Sequence, residues 1–217
     1  MTFGAGAQIA AHAALLLRYY PESLNRCIIY NRSLNARVEK LAESLRRDFP
    51  SVTFICRQTP DDIHGVGDDV DNLRSDLESA DIICTATPST KALFPSSFVR
   101  SGTHLNLVGS YTLQMMEVET SLIHRADLLM VDSRPACMLE AGELVAAGLR
   151  PEDMREIGEL VGTVSEAPPP NTSDERVTIF KSVGLGIQDV VIAKFVVDLA
   201  ERKGIGCNLS SYDDRYL

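Results

Sequence analysis

Tryptophan is absent from these 217 residues, and aromatic side chains make up only 6% of them, so the interior has to be filled mainly by aliphatic groups. An excess of positive charge is missing too: 21 Lys and Arg stand against 30 Asp and Glu, a net charge of -9. Nonspecific affinity for polyanions is built from clustered cations, so no nucleic-acid partner is expected. No apolar run approaches the length that spans a bilayer, and the N-terminus has neither a charged leader nor a signal-peptide core. The expectation is a cytoplasmic protein without a membrane partner. Cys27, Cys56, Cys84, Cys137 and Cys207 show no CxxC spacing, and their odd number fits neither a disulfide framework nor a zinc site. His12, His64, His104 and His124 have no ligand spacing either, so no metal is expected.

What is present is 45% hydrophobic residues, enough for one or two ordinary cores. Apolar positions Ile9, Ala13, Leu16, Leu17 and Tyr20 recur at helical spacing until Pro21. A β-rich run at 27–30 follows, then a helix marked by Val38, Leu41, Ala42, Leu45 and Phe49, with Ser33 as its N-cap. Further strands are expected at 52–56, 81–87, 104–109 and 128–131, with a short helix over Val70, Leu73 and Leu77. The stretch 166–175, EAPPPNTSDE, reads as a linker, and Gly184 to Lys203 as one long apolar helix. Strands too apolar for a wet face, alternating with helices, predict an α/β fold: a doubly wound, mostly parallel sheet of the Rossmann type.

The opening FGAGAQIAAH places Gly4 and Gly6 directly before a helix. In a dinucleotide-binding turn the first glycine permits the sharp bend and the second lets the pyrophosphate approach the backbone at the helix N-terminus. Ile9 stands where a third small residue is usual, with Ala10 beside it. The end of the second strand decides between dinucleotides. A carboxylate there would bind a ribose 2'-hydroxyl, whereas Asn31, Arg32 and Ser33 suit a 2'-phosphate, which favours NADP over NAD. Elsewhere, Glu140 and Glu143 lie one helical turn apart and read as solvated or capping residues, and Asp132 as the cap of a helix starting near Pro135.

Six segments, FGAGAQIAAH, NRS, ADIICTATPST, SGTHLNLVGSYTLQMMEVE, VDSRPACMLEAGEL and TIFKSVGLGIQDVVIAK, follow one another as in the ornithine cyclodeaminase and mu-crystallin family, which the chain resembles from Gly4 nearly to Gly206. The resemblance implies a Rossmann domain for NAD or NADP, coupled in a homodimer to a dimerisation and substrate domain. It implies that Gly4, Gly6, Ala7 and Gln8 hold the pyrophosphate and that Asn31, Arg32 and Ser33 hold the adenosine ribose. Thr85 and Thr87 would border the cofactor, with Val108, Gly109 and Ser110 beside the nicotinamide and Ser182, Val183 and Gly184 approaching from the other side.

Two departures qualify this. Ornithine-cyclising members carry an acid/base Asp where Tyr111 stands here. A phenol, ordinarily titrating near pH 10, is a poor base at neutral pH but can donate a proton or a hydrogen bond. The expected reaction is therefore hydride transfer to a small amino-acid-derived imine or ketimine, or the reverse, with two alternatives: a non-catalytic NADP-dependent binder of mu-crystallin type, and ammonia loss as in ornithine cyclodeaminase proper. The family's substrate domain, roughly a hundred residues long, would precede Gly4, so the chain reads as the cofactor half of an enzyme. The expected organisation is a Rossmann domain over 1–165, a linker over 166–177 and a C-terminal strand and helix over 178–217 that would pack on the missing domain.

Overall fold

Runs of apolar residues with no wet face become the strands of one parallel sheet. The computed structural model describes residues 1–160 and 176–207, so the linker read at 166–175 lies outside the described residues. The elements are β1 (Thr2–Phe3), α1 (Ala7–Tyr19), β2 (Arg26–Asn31), α2 (Ala36–Asp48), β3 (Thr53–Gln58), α3 (Asp68–Glu78), β4 (Ile82–Thr85), β5 (His104–Leu107), α4 (Thr120–His124), β6 (Ala126–Val131), α5 (Arg134–Glu140), α6 (Gly142–Ala146), β7 (Arg155–Glu156), β8 (Val177–Lys181) and α7 (Gly186–Lys203). The strand order is β3-β2-β1-β4-β5-β8-β6-β7, and every adjacent pair is parallel.

Both faces of the sheet are covered, as its composition requires. Ile28 and Tyr30 of β2 join Ile83, Leu105 and Leu107 in a core closed by Val70, Leu73 and Leu77 of α3. The alternate β2 residues, Cys27 and Ile29, face the opposite core with Ile9, Ala13 and Leu17 of α1 and Val38, Leu41 and Leu45 of α2. Period-two alternation in the strand thus meets three- and four-residue spacing in the helices. Although only two residues long, β1 lies between β2 and β4. Its ladder continues beyond the strand through Gly4 N–H to Tyr30 O (2.8 Å) and Ala86 N–H to Phe3 O (3.1 Å). Phe3 also stacks on Tyr30 with ring centroids 5.4 Å apart.

Two expected caps shift by one or two residues. The N-cap of α2 is Asn35, whose side chain accepts from the amides of Arg37 and Val38; Ser33 instead accepts from the Asn35 amide. The N-cap of α5 is Ser133 rather than Asp132. Glu140 and Glu143 do not share a helix, because α5 ends at Glu140 and α6 begins at Gly142.

The chain divides into two compact units, Met1–Val183 and Gly184–Leu217, so β8 belongs with the sheet. In the second unit α7 is closed by Gly204 in the left-handed region at φ 62° and carries a Lys194–Asp198 pair one turn apart. Its Ile187, Val190, Val191, Phe195 and Val196 are exposed. Among the described residues no helix is long and apolar enough to cross a membrane.

Candidate functional site

Because all strands run the same way, their carboxyl ends share one edge. Pairing puts Arg57, Tyr30, Phe3, Thr85, Leu107, Lys181, Val131 and Glu156 in one level row across the sheet. The residues just beyond that row open the loops Gly4–Gly6, Arg32–Ser33, Thr87, Val108–Ser110 and Ser182–Val183. The fold therefore gathers five sequence-distant loops on one side. From β1 the chain winds outward to β2 and β3, then returns to place β4 on the other flank of β1. That reversal opens a crevice at the carboxyl edge, the usual ligand position in such sheets.

At this crevice Gly4 has φ 109°, and a side chain there would press on Ala86 O at 2.9 Å, so only glycine suits the turn. Gly6 is the N-cap of α1 and has extended backbone, φ -89° and ψ -178°, with no side-chain cap. A Cβ at Gly6 would meet no atom within 4 Å. Ala7 and Gln8 are exposed, while Ile9 turns inward to the core at 1% exposure. The first amides of α1 thus face open space at the positive end of a helix. Asn31 ends β2 and donates to Ser33 O at 2.8 Å, which folds the Asn31–Ser33 segment around the exposed Arg32.

Beneath the other loops lie charges that pattern reading does not single out. Glu117, with no exposed surface, accepts four hydrogen bonds: from Thr85 Oγ1 (2.7 Å), Thr87 N (2.6 Å), Thr87 Oγ1 (2.8 Å) and Gly109 N (2.7 Å). Burial pushes its carboxyl above the usual carboxylate range, against the pull of these donors. The Thr85 hydroxyl therefore turns inward. Lys181, at the end of β8, is equally buried; its Nζ donates to Ser110 O at 2.6 Å and lies 3.2 Å from Glu143 Oε1. Ser110 Oγ in turn donates to Met115 O and accepts from Gly142 N.

Asp132 fastens the last loop. It accepts from Ser182 Oγ (2.7 Å) and Val183 N (3.0 Å) as well as from Ser133 N (2.9 Å). Cys137 also approaches Asp132, and burial with this carboxylate nearby pushes its thiol up to about 12, which leaves it an inert packing group. Tyr111, next to the buried Ser110, is 52% exposed at the surface of the same edge. Gly184 opens the second unit, with φ 89°.

The described residues thus bring Gly4, Gly6, Ala7, Gln8, Asn31, Arg32, Ser33, Thr85, Thr87, Val108, Gly109, Ser110, Ser182 and Val183 to one sheet edge. Sequence reasoning missed Glu117 and Lys181, and it took Glu143 for a solvated or capping residue, whereas Glu143 is fully buried. The available signal was a lone charge inside an apolar stretch, MMEV for Glu117 and IFKSV for Lys181.

Comparison with known proteins identifies relatives in sequence and in fold. The chain is 34% identical over 137 residues to a Delta(1)-pyrroline-2-carboxylate reductase of Bacillus cereus, a match covering 62% of this chain and 42% of that protein. It is 30% identical over 195 residues to the ketimine reductase mu-crystallin of Rattus norvegicus, covering 90% of this chain and 53% of the relative. The chain spans about half the length of the curated relatives it matches. In fold it is similar to the Thermococcus litoralis Delta(1)-pyrroline-2-carboxylate reductase solved with NADH and L-proline, at a TM-score of 0.76 and 23% identity over 96% of this chain and 59% of that one. The model of the ornithine cyclodeaminase/mu-crystallin family matches residues 1–204, and the chain belongs to that family.

Proposed function

We propose that the first unit binds a nicotinamide dinucleotide, NADP in preference to NAD, and serves the reduction of a C=N bond in a small amino-acid-derived substrate. The observation that carries this reading is the uncapped α1 N-terminus at Gly6, with open space where a side chain would stand, beside the reversal of strand order. Related proteins named for pyrroline-2-carboxylate and ketimine reduction support the reaction class. When bound, the reduced cofactor supplies hydride to the imine carbon.

This chain's own residues do the holding. The amides of Ala7 and Gln8 take the pyrophosphate, and the Gly4 turn keeps side chains out of its way. Asn31, Arg32 and Ser33 take the adenosine ribose and its 2'-phosphate. The loops of Thr87, Val108–Ser110 and Ser182–Val183 support the nicotinamide. Tyr111, in the position of the Asp of cyclising relatives, donates a hydrogen bond or proton to the substrate and does not act as a base.

Fluorescence titration of the purified chain with NADH and NADPH, with and without five- and six-membered cyclic imine carboxylates, tests the reading. Saturable binding with turnover supports a reductase. Binding without turnover favours a nucleotide-dependent binder, and no binding of either nucleotide overturns both. Arg32→Ala is expected to weaken NADPH roughly tenfold, as loss of a charged hydrogen bond of about 1.5 kcal/mol would. NADH affinity should stay nearly constant. Equal loss for both nucleotides would remove Arg32 from 2'-phosphate recognition.

A further inference from the structure

Glu117 has no partner of opposite charge among the described residues, yet it is completely buried and takes four donors. Its own backbone is pinned. Leu93 N–H donates to Glu117 O at 2.9 Å, Met116 N–H donates to Ser89 O at 2.8 Å, and Met116 forms a parallel bridge with Thr90. The carboxylate is therefore aimed by backbone pairing rather than by side-chain freedom.

The last sheet bond between the β4 and β5 ends is Val108 N–H to Thr85 O, at 2.9 Å. Beyond it the two loops approach so closely that a Cβ on Gly109 would collide with Thr87 N, Thr87 O and the Glu117 carboxylate. No backbone bond joins Thr87 to Gly109 among the described residues; Glu117 joins them instead. Oε1 accepts Thr87 N–H and Oε2 accepts Gly109 N–H, and each oxygen also accepts one threonine hydroxyl.

We propose that Glu117 is a positioning residue for the nicotinamide half of the cofactor, because its two oxygens set the separation of the two loops on which that half would rest. This inference rests on the dinucleotide reading above. The chemistry asks for a carboxylate. Hydroxyls can rotate to meet an amide NH2 group, but the two backbone N–H groups cannot, so glutamine would set a donor against one of them. The adenine half rests on the α1 N-terminus and the Asn31–Ser33 segment, which Glu117 does not touch.

Glu117→Gln in the full chain tests this, with dissociation constants measured for the preferred reduced dinucleotide and for the matching nicotinamide-free fragment, ADP-ribose or its 2'-phosphate. The expected result is dinucleotide binding weaker by about tenfold, fragment binding within about twofold of the wild type, and bound-cofactor fluorescence shifted toward that of free cofactor. Equal loss for dinucleotide and fragment, or no loss for either, overturns the proposal while leaving the dinucleotide site standing. A wild-type chain that binds no dinucleotide overturns both. If Glu117→Gln does not melt cooperatively, Thr85→Val removes one of the four donors with little change of shape. It is expected to show the same selective loss at about threefold, and an unselective effect there overturns the proposal.

Discussion

Methionine in place of Lys181 is expected to lower the free energy of unfolding by about 3–5 kcal/mol, the usual result of stranding one member of a buried ion pair. Lys181 and Glu143 have no exposed side-chain surface and face each other at 3.2 Å. Neither oxygen of Glu143 has a hydrogen-bond partner among the described residues, so the ammonium is the balance to its charge. The same ammonium holds Ser110 O at 2.6 Å. Removing it leaves a naked carboxylate and an unmet carbonyl in one place. Domain stabilities are only about 5–15 kcal/mol, so the loss would consume much of the total. Urea unfolding at neutral pH measures it. The double variant Lys181→Met with Glu143→Leu is expected to recover most of the loss, because a well-packed apolar pair avoids the desolvation cost. A single variant as stable as the wild type would show that the pair is not a structural element.

Gly6→Asp is expected to leave stability within about 0.5 kcal/mol of the wild type, since aspartate is a favoured N-cap and glycine a tolerable one. The backbone there is extended, and a side chain meets no atom within 4 Å. Dinucleotide affinity should nevertheless fall by at least about 100-fold, or roughly 2.7 kcal/mol. The new carboxylate would occupy the α1 amides and repel the phosphates they otherwise receive. Thermal melts and calorimetry on the same preparation separate the two effects. Unchanged nucleotide binding would remove the helix terminus from the site.

These expectations differ in how far they could be foreseen. The Gly4–Gly6 turn, the strands from β2 to β6 and the α1 and α3 faces are local patterns, and a linear reading recovers them because the periodicity lies within a dozen residues, whereas the two-residue β7 is too short to show any. Cap positions are less determinate, because neighbouring polar residues compete: Asn35 prevails over Ser33, and Ser133 over Asp132. The buried network was illegible for a different reason. Thr85, Gly109 and Glu117 meet only after β4 and β5 pair, and Ser110, Glu143 and Lys181 only after β8 enters the sheet. Pattern reading assigns an isolated charge to solvent, and only this convergence puts those charges inside.

The placement of β8 also orders events during synthesis. On the ribosome, β5 and β6 emerge long before Val177, yet each completes its pairing only when β8 slides between them. A nascent chain halted short of that point would present two raw sheet edges at once, the kind of surface that invites aggregation and draws chaperones. The newest strand to leave the exit tunnel would thus be the keystone on which β6 and β7, made earlier, must wait.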